Sequence, residues 1–240
     1  MVLASLERRK KMNRSIRRFL YIIINHILMG AMTEEVKDTR EGEDVTLECR
    51  FAPQLVNGED TTFYWTRTNK HNKDTLAVHQ NPLDPFYRVD FKPEQGRYDL
   101  LITNATYDRD NGKFECRVKA SGSGRNIHFQ SFVLTVLTPP SPPQISPGLN
   151  PVATEGKSME LTCSSSGGSP DPVIKWYKEG STYPLESNTR SGNTRDSMTT
   201  AVLTLTPVRS DDEANYRCVV WNRAMPEGNK LEARVTLNVN

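Results

Sequence analysis

The residues of this chain best suited to cross-linking or metal chemistry are four cysteines, and each pair of them flanks a tryptophan. The two triplets follow one another in the same order, as Cys49, Trp65 and Cys116, then Cys163, Trp176 and Cys218. Thiols could coordinate zinc or form disulfides. Zinc sites draw on closely spaced cysteine pairs, and no such pair occurs here. The spacing therefore favours structural cysteines over a metal centre.

A second pattern closes each triplet. The last cysteine ends a run Asp-x-Gly/Ala-x-Phe/Tyr-x-Cys, which begins at Asp110 in the first unit and at Asp212 in the second. Residues of alternating polarity precede the first cysteine of each unit, as in a half-buried strand. This combination is typical of an immunoglobulin β-sandwich, in which a disulfide joins strands B and F and an indole packs against it. The chain is therefore predicted to be all-β, with two tandem immunoglobulin-like β-sandwiches.

The immunoglobulin pattern implies that Cys49 pairs with Cys116 and that Cys163 pairs with Cys218. Disulfides persist in oxidising compartments and are rare in the cytosol, so the chain is predicted to be exported. The alternative is a cytosolic protein with reduced core cysteines. Each disulfide would close a long loop, which contributes about 4 kcal/mol in the chain-entropy description.

The first 32 residues support export. Seven basic residues between Arg8 and Arg18 precede an apolar run over residues 19–32, which is the order found in a secretory signal peptide. The run is short for a bilayer span, which takes about 20 residues; an uncleaved signal anchor is the alternative. The chain has 31 basic and 29 acidic residues, and the segment holds seven basic and one acidic, so the remainder has a formal charge of −4. Such a surface argues against nucleic acid as a partner.

Cysteine spacing and proline content predict the domain bounds. Residues 33–137 are expected to form a variable-type sandwich, because the long interval between its cysteines leaves room for strands C′ and C″. Residues 144–240 are expected to form a shorter C2- or I-type sandwich. Residues 138–143, Thr-Pro-Pro-Ser-Pro-Pro, are predicted to be a stiff, extended linker, since proline fixes φ and removes donors. A ligand for an SH3 domain is the alternative interpretation of this segment.

Three further features are predicted near strand ends. Arg88 and Asp110 are placed to form the ion pair that commonly bridges one end of a variable-type domain. Tyr216 is placed to form a tyrosine corner, in which the hydroxyl bonds the backbone. Asn104 begins an Asn-Ala-Thr acceptor for N-glycosylation in a turn that should be exposed.

Catalytic chemistry has little support in the sequence. His71, His79 and His128 have no nucleophile beside them in a recognisable motif, and surface histidines are the simpler interpretation. Glycine-rich phosphate loops and calcium loops are absent from the sequence. The chain is therefore expected not to be an enzyme and to need neither a metal nor a cofactor.

A binding surface is predicted from strand alternation instead. Because Trp65 faces the core, its neighbours Tyr64 and Thr66 should point outward from the sheet of strands C, C′, F and G. Arg117 and Lys119 on strand F should lie on the same face. Exposed tyrosine beside arginine is the composition of an interface centre. The alternative is an ordinary solvated face of long side chains.

The second unit resembles the second domains of adhesion receptors of the nephrin/Kirre and nectin-like group. The resemblance covers residues 36–240 and rests on Glu155-Gly156, on the run LTCSSSGGSP over 161–170, on Ile174-Lys175-Trp176 and on Tyr216-Arg217-Cys218. It implies a tandem V-type and C2-type pair from the cell-adhesion proteins of the immunoglobulin superfamily.

That resemblance also implies a function. It predicts pairing between cells, with the same molecule or a related receptor, through the C, C′, F and G sheet of the first domain, and it assigns binding to Tyr64, Thr66, Arg117 and Lys119. The alternative is a secreted or receptor module that binds a soluble ligand or modulates a signalling receptor. A membrane anchor is expected beyond Asn240, which would place the chain on the extracellular side of the plasma membrane at cell junctions; without one, the protein would be secreted.

Overall fold

The computed structural model describes residues 34–56, 60–70 and 72–240, which fold into two β-sandwiches in succession along the chain. The predicted signal peptide over residues 1–32 and His71 lie outside the described residues. The strands of the first sandwich are β1 (Glu35–Arg40), β2 (Val45–Leu47), β3 (Thr61–Thr68), β4 (Lys73–Val78), β5 (Asn81–Pro82), β6 (Tyr87–Lys92), β7 (Arg97–Ile102), β8 (Gly112–Ala120) and β9 (Asn126–Leu137). A single helical turn, α1 (Tyr107–Asp110), connects β7 to β8.

Two sheets make up the first sandwich. The larger has six strands in the order β1-β9-β8-β3-β4-β5, and the smaller has the order β2-β7-β6. Strand β1 runs parallel to β9, and the other pairs are antiparallel. Strands β4 and β5 are the additional C′ and C″ strands expected of a variable-type domain.

The second sandwich also has nine strands, but they are divided among three smaller sheets. Its strands are β10 (Gln144–Ser146), β11 (Val152–Ala153), β12 (Met159–Ser165), β13 (Val173–Lys178), β14 (Asn188–Arg190), β15 (Thr199–Leu205), β16 (Asn215–Trp221), β17 (Leu231–Thr236) and β18 (Asn238–Val239). The sheet β10-β12-β15-β14 faces the sheet β13-β16-β17, while β11 pairs with β18. The predicted all-β fold of two tandem immunoglobulin sandwiches is confirmed.

Each core is built around one disulfide and one tryptophan. The structure joins Cys49 to Cys116 and Cys163 to Cys218, with Cα–Cα distances of 6.3 Å in both. Trp65 and Trp176 are both fully buried. The Trp65 indole donates a 3.0 Å hydrogen bond to the Tyr98 carbonyl of β7, and Trp176 donates one of the same length to Ala201 of β15. In both cores the buried indole thus packs in the interior while its N–H is satisfied by a backbone carbonyl.

The glycine of the closing motif has a steric reason in the first sandwich. Gly112 has φ of 156°, and a Cβ atom built there would lie 2.5 Å from the carbonyl oxygen of Thr68. A side chain would therefore push β8 away from the end of β3. Ala214 occupies the matching position of the second sandwich.

The predicted ion pair between Arg88 and Asp110 is wrong. Strand alternation places Tyr87 inside and Arg88 outside on β6, so the Arg88 side chain points away from the buried carboxylate. Asp110 instead accepts hydrogen bonds from the Tyr87 hydroxyl at 2.8 Å and from Arg109 Nε at 2.9 Å. Arg67 of β3 lies 3.9 Å from the same carboxylate. The basic partners of Asp110 therefore come from strand β3 and helix α1.

The predicted tyrosine corner is also not formed. Tyr216 is buried, but among the described residues its hydroxyl has no hydrogen-bond partner, and its ring lies under the ammonium of Lys178 at 5.9 Å. Burial raises the pKa of the Tyr216 hydroxyl.

The linker lies against the second sandwich. Thr138 exchanges two backbone hydrogen bonds with Ser169, of 3.0 and 2.9 Å. Further along, the Ser141 amide donates to Ser166 at 2.7 Å, and the Ser165 hydroxyl donates to the Ser141 carbonyl at 2.7 Å. The linker is thus held by hydrogen bonds in addition to the fixed φ of its prolines.

Candidate partner-binding face

The outer face of the six-stranded sheet is built from side chains that register brings together. Tyr64 of β3 lies opposite Arg117 of β8, and Arg117 lies opposite Phe129 of β9. On the other side of Tyr64, Val78 of β4 is its partner. Directly opposed residues share a face of the sheet. We call the surface formed by Tyr64, Val78, Glu115, Arg117, Lys119 and Phe129 the outer face.

An ion pair occupies the centre of the outer face. Arg117 Nη2 lies 2.7 Å from Glu115 Oε2, and Arg117 Nε donates to the same oxygen at 3.2 Å. The side chains of Arg117 and Glu115 are 26% and 14% exposed. Both charges are thus partly shielded from water and are held in a defined geometry, with part of their surface open to a partner.

Aromatic rings flank this ion pair on both sides. The guanidinium carbon of Arg117 lies 4.8 Å from the centroid of the Phe129 ring, and Lys119 Nζ lies 5.7 Å from the centroid of Tyr64. Cation–π contacts of this kind contribute about 0.5–1 kcal/mol at exposed positions. They also limit the rotamers of four long or large side chains, which reduces the entropy lost on binding.

The predicted binding residues do not contribute equally. Tyr64, Arg117 and Lys119 are half-buried and contribute surface to the outer face. Thr66 is only 9% exposed, and its hydroxyl lies 3.5 Å from Glu115 Oε2. Its side chain is short and lies beneath longer neighbours, so it supports the outer face from below.

Alternation alone does not place Val78 on the outer face, and the sequence leaves Phe129 and Gln130 of β9 as alternatives for the same patch. The structure shows a register shift between Trp65 and Thr66 where β3 meets β4, so the residue opposite Tyr64 cannot be counted from the sequence. Phe129 follows from its pairing with Arg117, whereas its neighbour Gln130 turns away from this face. Gln130 accepts a 3.2 Å hydrogen bond from the Arg50 amide.

The described histidines pack against aromatic rings at one end of the first core. The ring centroid of His128 lies 5.7 Å from that of Phe51, and His79 lies 6.0 Å from Phe63 and 5.9 Å from Phe91. Burial lowers the pKa of His128, against the opposing effect of a hydrogen bond with Gln130. In the described ranges, no group of three potential metal-ligating side chains was found.

The acceptor for N-glycosylation lies in the turn between β7 and α1. Asn104 is exposed and has φ of 49°. Its backbone N–H donates to Asp44 Oδ1 at 2.9 Å, and its backbone carbonyl accepts from Arg109 Nη2 at 2.9 Å. The backbone of the turn is therefore held in place while the Asn104 side chain is open to solvent. This turn belongs to the connection between the two sheets and contributes no residue to the outer face.

Comparison with known families agrees with this geometry. The immunoglobulin V-set domain matches residues 33–137, and a second immunoglobulin domain family, Ig_3, matches residues 142–222. The chain therefore carries two immunoglobulin domains in tandem.

Named relatives narrow this assignment. The chain is 31% identical over 217 residues to human junctional adhesion molecule C, covering 86% of this chain and 67% of that protein. It is 30% identical over 208 residues to the Irregular chiasm C-roughest protein of Drosophila melanogaster, covering 81% of this chain and 25% of that protein. The crystal structure of Rst D1-D2 matches with a TM-score of 0.62 and 28% identity, covering 88% of this chain and 98% of that one.

The chain therefore belongs to the immunoglobulin-superfamily cell-adhesion molecules, a family that acts by binding and not by enzymatic catalysis. It spans only a quarter of the Drosophila relative and about half of feline junctional adhesion molecule A, of which it covers 49%. A chain from the complex of Dpr2 Ig1-Ig2 with DIP-Theta Ig1-Ig3 has the same fold at 20% identity and a TM-score of 0.61. In the part of the chain that the structure describes, no helix is long and apolar enough to cross a bilayer.

Proposed function

We propose that this chain is an extracellular recognition module that binds a protein partner on an apposed cell through the outer face of its first sandwich. The partner is a second copy of the same molecule or a related immunoglobulin-superfamily receptor. Two disulfides support an extracellular setting. The family includes cell-surface adhesion molecules, and residues 1–32 have the composition of an export signal.

The observation that carries the proposal is the arrangement of Tyr64, Arg117 and Phe129. Interfaces concentrate tyrosine, phenylalanine and arginine near their centre, and these residue types dominate binding energy when a partner desolvates them. On the outer face they are adjacent and half-buried, and the cation–π contact between Arg117 and Phe129 holds two of them in place. The large apolar side chains of the first sandwich that are exposed and not half-buried, such as Leu83, lie outside this arrangement.

Pairwise binding through the outer face would be weak. Small, partly polar interfaces give modest affinity, and many copies on two membranes multiply it through effective concentration. Adhesion would then depend on the density of the molecule at the cell surface. The hydrogen-bonded linker would hold the first sandwich at a fixed distance from the second.

A bead assay tests the proposal directly. Beads coated with the full chain, secreted and purified, should cluster if the partner is a second copy, and beads coated with related receptors should capture it if the partner is heterologous. Arg117→Glu places a negative charge beside Glu115 and should abolish either response. Lys175→Glu, on the second sandwich, is the matched control and should leave the response unchanged.

Two outcomes would reject the proposal. If Arg117→Glu and Lys175→Glu behave alike, the outer face is not the binding surface. If the wild-type chain stays monodisperse in sedimentation and is captured only by a soluble ligand, the protein is a ligand-binding module. Binding of a soluble ligand would then be the function that the data support.

A further inference from the structure

Arg195, in the connection between β14 and β15 of the second sandwich, contacts three residues of the first. Its Nη1 atom lies 3.3 Å from Glu41 Oε1, and its Nη2 atom lies 3.0 Å from Asp108 Oδ2. The guanidinium carbon is 4.4 Å from the centroid of the Tyr107 ring. The Arg195 side chain is only 22% exposed. One cation thus joins two carboxylates and an aromatic ring of the other domain.

Two further bonds extend this contact. The Arg195 amide donates to the Tyr107 hydroxyl at 3.2 Å, and Lys70 Nζ lies 2.7 Å from Asp196 Oδ2. The polarity of the second pair is reversed, because Lys70 belongs to the first sandwich and Asp196 to the second. We call these contacts the Arg195 group.

A second group of contacts shares no residue with the first. Arg223, after β16, pairs with Asp38 of β1: its Nη2 atom donates a 2.8 Å hydrogen bond to Oδ1, and its Nε atom lies 2.8 Å from Oδ2. Arg40 Nη1, from the same strand of the first sandwich, donates to the Ala224 carbonyl at 2.7 Å. We call these the Arg223 group. In this pair two nitrogens of Arg223 face the two oxygens of Asp38, an arrangement that limits direction as well as distance.

The remaining connection between the sandwiches is narrow. Backbone hydrogen bonds join Thr138 to Ser169. The side-chain amide of Asn222 also donates to the Thr138 carbonyl at 2.9 Å. Beside this connection an open cleft of about 390 Å³ separates the two domains, with Asn111, Val133 and Arg195 among its lining residues. Domains that share little packed apolar surface move relative to each other by default. The charged contacts are therefore the main restraint on their relative orientation.

We propose that the Arg195 and Arg223 groups together fix the direction in which the first sandwich points from the second. Arg195 and Arg223 are then positioning residues: they touch no partner, but they set the angle at which the outer face is presented. The effect on adhesion rests on the function proposed above, whereas the effect on domain orientation does not.

The physics of these contacts predicts a salt dependence. Most of the paired groups are partly exposed, with Arg223 at 51% and Asp108 at 68%, so mobile ions can screen them. The screening length falls from about 8 Å at 0.15 M salt to about 3 Å at 1 M. Individual surface pairs are weak, and two separate groups are needed to restrain both bending and rotation about the linker.

Small-angle X-ray scattering of the full chain tests the proposal without any partner. The Arg195→Ala, Arg223→Ala double variant should have a larger radius of gyration and a broader distribution of interatomic distances at 0.15 M salt. The wild-type chain should approach the same profile at 1 M salt. The matched control is Lys157→Ala with Arg190→Ala, two exposed cations of the second sandwich outside both groups, and it should scatter as wild type does.

A charge exchange separates positioning from general loss of stability. Asp38→Arg combined with Arg223→Asp keeps an ion pair with reversed polarity and should restore much of the wild-type profile, whereas Arg223→Asp alone should not. Thermal unfolding of each variant shows whether both sandwiches remain folded. If a variant fails to fold, the salt series on the wild-type chain still decides the question.

The proposal is overturned if the double variant and the wild-type chain give superimposable scattering at both salt concentrations. It is also overturned if the control variant broadens to the same extent. Bead clustering provides the functional readout: the double variant should cluster less while its first sandwich keeps its monovalent affinity for a partner. Loss of monovalent affinity would instead place these residues at the partner contact and contradict a positioning role.

Discussion

Arg67 Nη1 lies 3.9 Å from Asp110 Oδ1, and the Tyr87 hydroxyl bridges the two, accepting from Arg67 at 2.7 Å and donating to Asp110 at 2.8 Å. The Asp110 side chain is fully buried and the Arg67 side chain is 11% exposed. Desolvation raises the pKa of the Tyr87 hydroxyl, and the neighbouring Asp110 carboxylate adds to the effect. A buried charge is stable only with partners of this kind.

This relationship predicts that Arg67→Ala destabilises the first sandwich by about 3 kcal/mol, because it leaves Asp110 with less compensation in the core. Arg88→Ala should change the free energy of unfolding by less than about 0.5 kcal/mol, as expected of an exposed side chain away from such features. Denaturant unfolding of both variants gives the comparison. Equal losses would show that Arg88 contributes to the stabilisation of Asp110 after all.

Gly112→Ala should also weaken the first sandwich, because its Cβ would approach the Thr68 carbonyl oxygen to 2.5 Å. The expected cost is about 1–3 kcal/mol, the range for backbone strain of this kind. Gly180→Ala, in a turn of the second sandwich with nothing within 4 Å of the added Cβ, is the control for positive φ alone. Thermal unfolding of the two variants should show the larger loss for Gly112→Ala; the reverse order would contradict the steric account.

On the outer face, Tyr64→Ala should reduce partner affinity by roughly tenfold, because truncating an aromatic at an interface centre costs more than 1 kcal/mol. Thr66→Ala should change affinity less than twofold, since Thr66 is only 9% exposed. The measurement is titration of the full chain against the partner, or self-association in sedimentation if the partner is a second copy. A stronger effect at Thr66 than at Tyr64 would mean that the outer face opens on binding.

Stability should fall in mild acid because of His128. Burial lowers its pKa in the folded chain below the ordinary value of 6.5, so the unfolded chain binds the proton more readily. The contribution is fully present above about pH 6.5 and is lost as the pH falls towards the folded-state pKa. Melting temperatures between pH 7.5 and pH 5 should drop more steeply for wild type than for His128→Gln. If the melting temperatures of the two proteins fall equally with pH, His128 is not the cause of the loss of stability.

Glycan occupancy at Asn104 is tested by mass spectrometry of the secreted chain. The exposed side chain predicts a glycan at this position, so Asn104→Gln should lower the mass by one N-linked glycan. Thr106→Ser preserves the acceptor and should retain the glycan. The prediction is contradicted if the secreted wild-type chain has the mass of the polypeptide without a glycan.

Local patterns in the sequence account for the fold and for part of the outer face. The cysteine and tryptophan triplets and the alternation around them are short-range signals, and they are sufficient to predict two sandwiches. Tyr64, Arg117 and Lys119 follow from the same alternation. Arg88 was misplaced because the bridge to Asp110 is common in variable-type domains, whereas alternation on β6 turns Arg88 outward.

Long-range relationships could not be predicted in the same way. Val78 lies opposite Tyr64 across a pairing of β3 and β4 that contains a register shift, and this shift leaves no mark in composition. The contact between Arg195 and Asp108 joins residues far apart in the chain, and it depends on how the linker folds back onto Ser169. An arginine in a polar loop has the same appearance in sequence whether it meets water or another domain.

Strand β9 joins the outer face to the linker in one continuous segment. It carries Phe129 in the outer face, and at Leu137 it continues directly into the linker at Thr138. A pull between a bound partner and the distal end of the molecule would run lengthwise along this strand, which is bonded to β1 on one side and β8 on the other. Such a load shears many hydrogen bonds at once instead of unzipping them singly, so the tandem should resist mechanical tension in the direction in which two adhering cells would separate.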